Sequence, residues 1–449
     1  MSTATPEPAA RPPLETQTTV GNYFVSNYPP FSFWQQDAVP EIHAAMDREP
    51  EPDTPLGVYI HIPFCRKRCH FCYFKVYTGQ NARDVEAYVD AVVREAALLS
   101  EMPAVDGRPV RFLYIGGGTP SYLSARQLHQ LVGGLAPLVD HTDLQEFTLE
   151  CEPGTVSPAK LTALADLGVT RLSIGVESLD DPILERNGRA HRLQHVNAVW
   201  ALARQSGIPQ LNLDLISGLV GETDESWRRS IDRLMAMAPD SVTIYQMEMP
   251  KNTTFFKART SGELTGGDLP DWPTKRRWSR EAFDALEAEG YHLTSAVTAT
   301  RNVDTTSFVY RDSLWGGADM LGLGVSAFSH VGGTHYQHDK HIERYVERVS
   351  AGELPVQRGY VMNPDERLIR ETVLLLKTGQ LDLERLARRY GIAPEERFSG
   401  PISALVNEGL ATCQDRQLNL TREALLQVDR LLPAFFAPEH RPALGASVG

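Results

Sequence analysis

A chain of 449 residues, 42% hydrophobic and 22% charged, has room for two or three ordinary domains or for one large α/β barrel with an appendage, and it holds no apolar run long enough to span a membrane. Its formal charge of −13 argues against nucleic-acid binding as the main activity, because phosphate neutralisation needs a basic face. The five cysteines, three of them crowded between Cys65 and Cys72, are too few and too unevenly spread for a disulfide framework and point to a reducing, cytoplasmic setting with a cluster or metal.

Residues 1–20, rich in Pro, Ala and Thr with Arg11 as the one basic residue, fit neither a secretory signal nor a transit peptide and are expected to form a disordered tail. An aromatic arm, 21–56, follows. Its segment Gly21 to Trp34 (GNYFVSNYPPFSFW) contains Pro29–Pro30, which forbids regular helix or sheet. So many aromatic rings must pack on something, either as a strap over one mouth of the core or as a flap near the substrate.

From Gly57 to about Ser295 short apolar runs alternate with amphipathic stretches. The runs Val58–Ile62, Val110–Ile115, Phe147–Cys151, Arg171–Gly175, Leu211–Ile216 and Val242–Met247 have strand length. Between them, Asp84–Ser100 places Val85, Val89, Val92, Ala96 and Leu99 on one helix face, and Leu193, Val196, Val199 and Ala203 form a second stripe. Trp227, Ile231, Leu234 and Ala238 form a third. Repeated strand–helix units imply parallel strands, hence an α/β fold with a partial or full (β/α) barrel over 57–300 and chemistry at the C-terminal strand ends. An extension and linker, 301–355, leads to a cap, 356–449. There Leu368–Leu376, Leu383–Tyr390 and Ile402–Leu410 read as helices, and Leu410–Cys413 with Leu418–Leu420 as a hairpin. This pattern is winged-helix-like, but it lacks a basic recognition helix, so a structural cap is expected rather than a DNA-binding module.

The run YIHIPFCRKRCHFCYF starts on the first strand and sets Cys65, Cys69 and Cys72 at C-x3-C-x2-C in the loop beyond it. Three thiolates can hold three irons of a cubane and leave the fourth iron open. Zinc is the competing reading, with His70 or His61 as fourth ligand crowded into the same short loop.

This motif, its place after the first strand and the motifs downstream resemble the radical S-adenosylmethionine (radical SAM) superfamily, in the HemN-like branch that contains oxygen-independent coproporphyrinogen oxidases, haem chaperones and radical methyltransferases. The resemblance implies a [4Fe–4S] cluster on Cys65, Cys69 and Cys72, one or two molecules of S-adenosylmethionine, a small-molecule substrate and a reductant such as flavodoxin or ferredoxin. It also implies reductive cleavage of S-adenosylmethionine to a 5′-deoxyadenosyl radical. Gly116, Gly117 and Gly118 in Tyr114-Ile-Gly-Gly-Gly-Thr-Pro120 match the site for the methionine amine, with Thr119 beside it. A ligand-free turn is the bland alternative. Phe71 matches the aromatic that packs on adenine. Glu150, Arg189 and Asp214 match contacts to the methionine moiety, its carboxylate and the ribose. Tyr59, His61 and Glu177 match positions at the reacting end, and packing inside the barrel is the alternative for Tyr59 and His61. Phe328, in GLGVSAFSH, takes the place of an aliphatic residue near a second S-adenosylmethionine.

The chain also departs from the oxidases. Their fourth cysteine is replaced by Phe74 in Cys72-Tyr73-Phe74, and the Phe-Gln pair ahead of GLGVSA is missing. These departures favour one-carbon (methyl or methylene) transfer to an unsaturated carbon, with coproporphyrinogen decarboxylation and haem transfer as the alternatives.

Overall fold

The computed structural model describes residues 24–140, 142–264 and 266–441. The expected tail and residues 21–23 of the arm lie outside them.

The main sheet is built on β1 (Leu56–Ile62), β2 (Val110–Gly117), β3 (Glu146–Cys151), β4 (Arg171–Glu177), β5 (Gln210–Ser217) and β6 (Ser241–Gln246). These six lie side by side in chain order and run parallel. In β1, Leu56, Val58, Ile60 and Ile62 are all buried, and only Tyr59 is partly accessible, the profile of a strand covered on both faces. Helices return the chain between strands. Ala82–Ser100 begins on Asn81, whose side chain accepts from the Arg83 and Asp84 N–H groups, and buries the expected stripe from Val85 to Leu99 against the sheet. Leu193–Ala203 buries Val196, Val199 and Ala203 with Leu193 partly covered, and Asp224–Met237 buries Trp227, Ile231 and Leu234, while Ala238 falls outside that helix as its left-handed cap.

β7 (His292–Ser295) and β8 (Thr298–Thr300) add an antiparallel pair beside β6. On the other side, β9 (Asp319–Leu323) pairs parallel with β1 and is followed by antiparallel β10 (Phe328–Val331), β11 (Thr334–His338) and β12 (Val356–Val361). The order is β12-β11-β10-β9-β1-β2-β3-β4-β5-β6-β8-β7, and among the described residues the outer strands do not pair with each other. The barrel is therefore partial. The sheet also extends through Val361, past the 355 boundary suggested by the change in sequence character, because β12 hydrogen-bonds to β11.

The cap places helices Pro364–Leu376, Leu383–Tyr390 and Ser399–Asn407 beside a small sheet of Gln380–Asp382, Ala411–Gln414 and Gln417–Leu420. Val25 and Tyr28 of the arm are buried in the cap's own core, with Leu368, Leu386 and Phe435. Farther along, Trp34 stacks on His335 of β11 with ring centres 5.1 Å apart. The arm straps barrel to cap. Among the described residues no helix is long and apolar enough to cross a membrane.

Candidate active site

The cysteine loop leaves β1 and is pinned at both ends, because Phe64–Cys65 pairs with Tyr77–Thr78. Thr119 donates its hydroxyl to Cys65 Sγ at 3.4 Å, and Arg189 Nη1 donates to Cys69 Sγ at 3.2 Å. Burial, reinforced by the other cysteines, pushes the Cys65 thiol up to about 12 and the Cys72 thiol up to about 11. Cys65 and Cys72 ionise readily only beside added positive charge. His70 is held outward: its N–H bonds the Asn187 carbonyl at 3.1 Å, its Nδ1 lies 3.2 Å from the Arg186 carbonyl, and its ring packs against Phe255. Among the described residues no three His, Cys, Asp or Glu side chains converge on a single ion. That arrangement does not suit mononuclear zinc. It suits a cluster, whose thiolates are spread over separate irons.

Beside the loop, β2 ends in Gly116 and Gly117, and Gly118 follows directly. A Cβ at Gly118 would lie 3.0 Å from Cys65 Sγ and from the Ile62 and Phe64 carbonyl oxygens, so backbone and cysteine approach where no side chain fits. Gly117 has φ +115°, and a Cβ there would meet the His61 ring at 2.7 Å. The Gly117 N–H donates to Glu150 Oε2 at 3.0 Å while the Tyr114 hydroxyl donates to Oε1 at 2.7 Å. Burial still pushes the Glu150 carboxyl up to about 7, with the nearby Asp214 charge adding to the effect.

The register places Ser173 beside Glu150 and Asp214 beside Gly175, so these polar groups share one rim. Asp214 accepts from Ser173 Oγ and Asn212 Nδ2, both at 2.8 Å. Glu177 sits at φ +61° where β4 breaks register, 3.7 Å from Arg189. Burial raises its carboxyl to about 7. Arg189 Nη2 donates to the Gly175 carbonyl at 2.6 Å, and its buried Nε has no partner among the described residues.

Above this rim lies an aromatic chamber. Tyr59 stacks on Tyr114 with centres 5.9 Å apart, Tyr114 lies 4.3 Å from Tyr310, and the Tyr59 hydroxyl is 3.2 Å from His61 Nδ1. Tyr73 and Phe74 pack together at 4.4 Å. Tyr73 and Tyr245 keep 51% and 39% of their surface accessible, and desolvation raises both hydroxyls. Arg171 is 1% exposed, with the Phe308 ring 4.0 Å over its guanidinium.

The structure thus gathers Tyr59, His61, Cys65, Cys69, Thr119, Glu150, Glu177, Arg189, Asp214 and the glycines around one rim. Phe71 joins an apolar cluster with Ile183, Leu219 and Val220 at its side. Phe328, on β10, packs against Phe31 at 4.6 Å and Trp34 at 5.6 Å. Sequence reasoning missed Arg171, Phe308, Tyr310 and Glu248. Glu248, two residues past β6, was within reach because it also sits at a strand end.

Residues 59–234 match the family described as the radical SAM superfamily. The heme chaperone HemW of Bacillus subtilis (strain 168) is 28% identical over 384 residues, covering 84% of this chain and 98% of that protein. The oxygen-independent coproporphyrinogen III oxidase of Escherichia coli (strain K12) is 26% identical over 399 residues, 86% of each chain. Over residues 59–234 the chain thus matches the radical SAM superfamily, and over most of its length it is similar to HemN-like relatives. The solved structure of coproporphyrinogen III oxidase (HemN) from Escherichia coli shares the fold, with a TM-score of 0.78 and 24% identity over 93% of this chain and 99% of that one.

A [4Fe–4S] cluster and S-adenosylmethionine, which the match to the radical SAM superfamily implies, fit this rim. The cysteines lack only positive charge, the glycine cradle brings backbone close to Cys65, and Arg189 keeps an unpaired N–H among the described residues. When bound, the pair supplies a 5′-deoxyadenosyl radical for hydrogen abstraction.

Proposed function

We propose that this chain transfers a one-carbon unit, methyl or methylene, to an unsaturated carbon of an uncharged, planar small molecule. The observation that carries the substrate class is the make-up of the chamber. Its named walls are Tyr59, Tyr73, Phe74, Tyr114, Tyr245, Phe308 and Tyr310, with the acids Glu150 and Asp214 below. Of the three nearby arginines, Arg171 is sealed under Phe308, Arg311 beside the same ring pairs with Asp312, and Arg189 is committed to Cys69, the Gly175 carbonyl and the cofactor side of the site. Aromatic faces suit a flat apolar ligand, whereas a polycarboxylate would meet acids without an accessible cation. The transfer itself rests on Tyr73-Phe74 following Cys72 and on the resemblance to radical methyltransferases.

In this reading Cys65, Cys69 and Cys72 hold the cluster. The backbone of Gly116, Gly117 and Gly118, with Thr119 alongside, receives the ammonium of the methionine moiety, and the guanidinium of Arg189 receives its carboxylate. Phe71 offers a π-face to adenine, and Glu150 and Asp214 offer acceptors to ribose hydroxyls. Glu177 stands next to Arg189 and orients it. Tyr59, Tyr114 and His61 exclude water from the substrate side, and the Glu150 carboxyl, near 7, can hold or release a proton there.

Tetrapyrrole chemistry is the second reading, favoured by relatives that are coproporphyrinogen oxidases and a heme chaperone. Reduced, reconstituted protein should be incubated with methyl-labelled S-adenosylmethionine and a panel of planar acceptors, with coproporphyrinogen III in parallel. Label in a product, together with 5′-deoxyadenosine and S-adenosylhomocysteine, supports the proposal. Decarboxylation of coproporphyrinogen without label transfer, or stoichiometric haem binding without 5′-deoxyadenosine, replaces it.

A further inference from the structure

At the opposite end of the barrel from the cysteine loop, where the start of β9 meets the cap, a small cavity is lined by residues of three segments. The sheet contributes Asp319, His330 and Gly332, the cap contributes Arg367, Arg370, Arg389 and Tyr390, and Glu51 closes it from the segment before β1. It has room for about one water molecule or one small ion.

The charges around it are unequal. Arg108 pairs with Asp319 at 3.0 Å, and Arg367 pairs with Glu51 at 2.6 Å. Arg385 and Arg389 share the fully buried Glu371 at 2.6 and 3.1 Å, and Tyr390 donates to the same carboxylate. That leaves Arg370. It lines the cavity and is 3% exposed, its Nε donates to Asn27 Oδ1 at 3.2 Å, and its two Nη groups make neither a hydrogen bond nor a carboxylate contact among the described residues. His330, 7% exposed on the same wall, carries a buried Nδ1 that is likewise without a partner among them. Glu371 and Asp319 attract Arg370 only at a distance, since each is already engaged by other arginines, so the buried guanidinium has no carboxylate in contact. Water can supply hydrogen bonds there but no charge.

We propose that this cavity binds one small monovalent inorganic anion of chloride size, held by the Nη groups of Arg370 beside His330. The site joins three parts of the chain, because Arg370 belongs to the cap, His330 to the sheet and Asn27 to the aromatic arm. The anion therefore fastens the cap and arm to the barrel, away from the candidate active site. Polyatomic anions such as phosphate exceed the space.

Thermal unfolding of the full chain at fixed ionic strength tests this, with chloride or bromide exchanged for gluconate. The melting temperature should rise by roughly 2 °C for each tenfold increase in halide above the dissociation constant. Phosphate should give no such rise. R370M should lose the halide dependence, and R370K, which keeps the charge, should retain part of it. A crystal soaked in bromide should show an anomalous peak between Arg370 and His330. Equal melting temperatures in halide and gluconate, an unchanged halide slope in R370M, or an empty anomalous map at the cavity would each overturn the assignment. Should R370M fail to fold, the bromide map and R370K still decide.

Discussion

Arg189 joins the two halves of the candidate site: Nη1 donates to Cys69 Sγ at 3.2 Å while Nη2 donates to the Gly175 carbonyl at 2.6 Å. One guanidinium thus ties the cysteine loop to the end of β4, and its unpartnered Nε is buried in the same place. A charge-assisted hydrogen bond to a ligand carboxylate contributes about 1.5–3 kcal/mol. Arg189→Gln should therefore weaken S-adenosylmethionine binding roughly 10- to 100-fold in the reconstituted protein, measured by calorimetry, with iron content as the control. Unchanged affinity would remove Arg189 from the cofactor site.

The cysteines make a sharper case. Anaerobic reconstitution should give about four irons and four sulfides per chain, and a Cys65→Ala, Cys69→Ala, Cys72→Ala triple variant almost none. Cys151 is buried at the end of β3 and Cys413 is exposed on the cap, so Cys151→Ser and Cys413→Ser should keep their iron. Iron retained by the triple variant would end the cluster assignment.

At Gly118 the obstacle to a side chain is partly backbone, since the Ile62 and Phe64 carbonyls lie 3.0 Å from the point a Cβ would occupy and cannot swing away as a flexible side chain would. Gly118→Ala should cost about 1–3 kcal/mol of stability by forcing the loop outward, and should lower iron content along with it. Gly133→Ala is the control, because nothing lies within 4 Å of a Cβ there. Urea unfolding and iron analysis of both variants give the comparison.

Much of this was legible from the chain alone. The six parallel strands lie within one or two residues of their apolar runs, because strands buried on both faces read as continuous hydrophobic stretches. β9 did not read as a parallel strand, since its sequence, Asp319–Leu323, lies in a glycine-rich segment far from its partner β1. Glu150, Glu177 and the glycines were found because they sit at or near strand ends, whereas Tyr59 inside β1, Asp214 inside β5 and Arg189, beyond a helix after β4, were found through the resemblance. Tyr310 and Phe308 were missed because they reach the chamber from the segment before β9, a placement that only tertiary structure reveals. Phe328 shows how the arm changes a motif's surroundings: Phe31 and Trp34 pack on its ring.

Burial of Glu150 has a consequence for stability. Its carboxyl rises from 4.5 to about 7 on folding, so between those values the folded chain holds a proton that the unfolded chain has lost. Stability contributed by this group is therefore full below 4.5, falls as pH rises through the window and levels off above about 7, by at most about 3 kcal/mol. Glu150→Gln cannot titrate. Denaturant unfolding of the cofactor-free protein from pH 4.5 to 8 should show a shallower decline for the variant, and parallel curves for both proteins would show that Glu150 does not carry the effect.

The aromatic arm separates strap from flap at two residues. Trp34 is 2% exposed and stacks on His335, so Trp34→Ala should cost about 3–5 kcal/mol and loosen arm and barrel together. Phe24 is different: its N–H donates to Glu248 Oε1 at 2.8 Å, its ring lies edge-on to Tyr245 at 6.2 Å, and Lys377 Nζ sits 3.4 Å from the ring centre. Tyr245 lines the chamber, so Phe24 borders its mouth. Phe24→Ala should leave iron content and S-adenosylmethionine affinity unchanged, lower stability by only about 1–2 kcal/mol, and raise the KM for the acceptor several-fold as the chamber opens. An acceptor KM equal to that of the parent protein would make the arm a strap alone, because the ring bordering Tyr245 would then have no part in holding substrate.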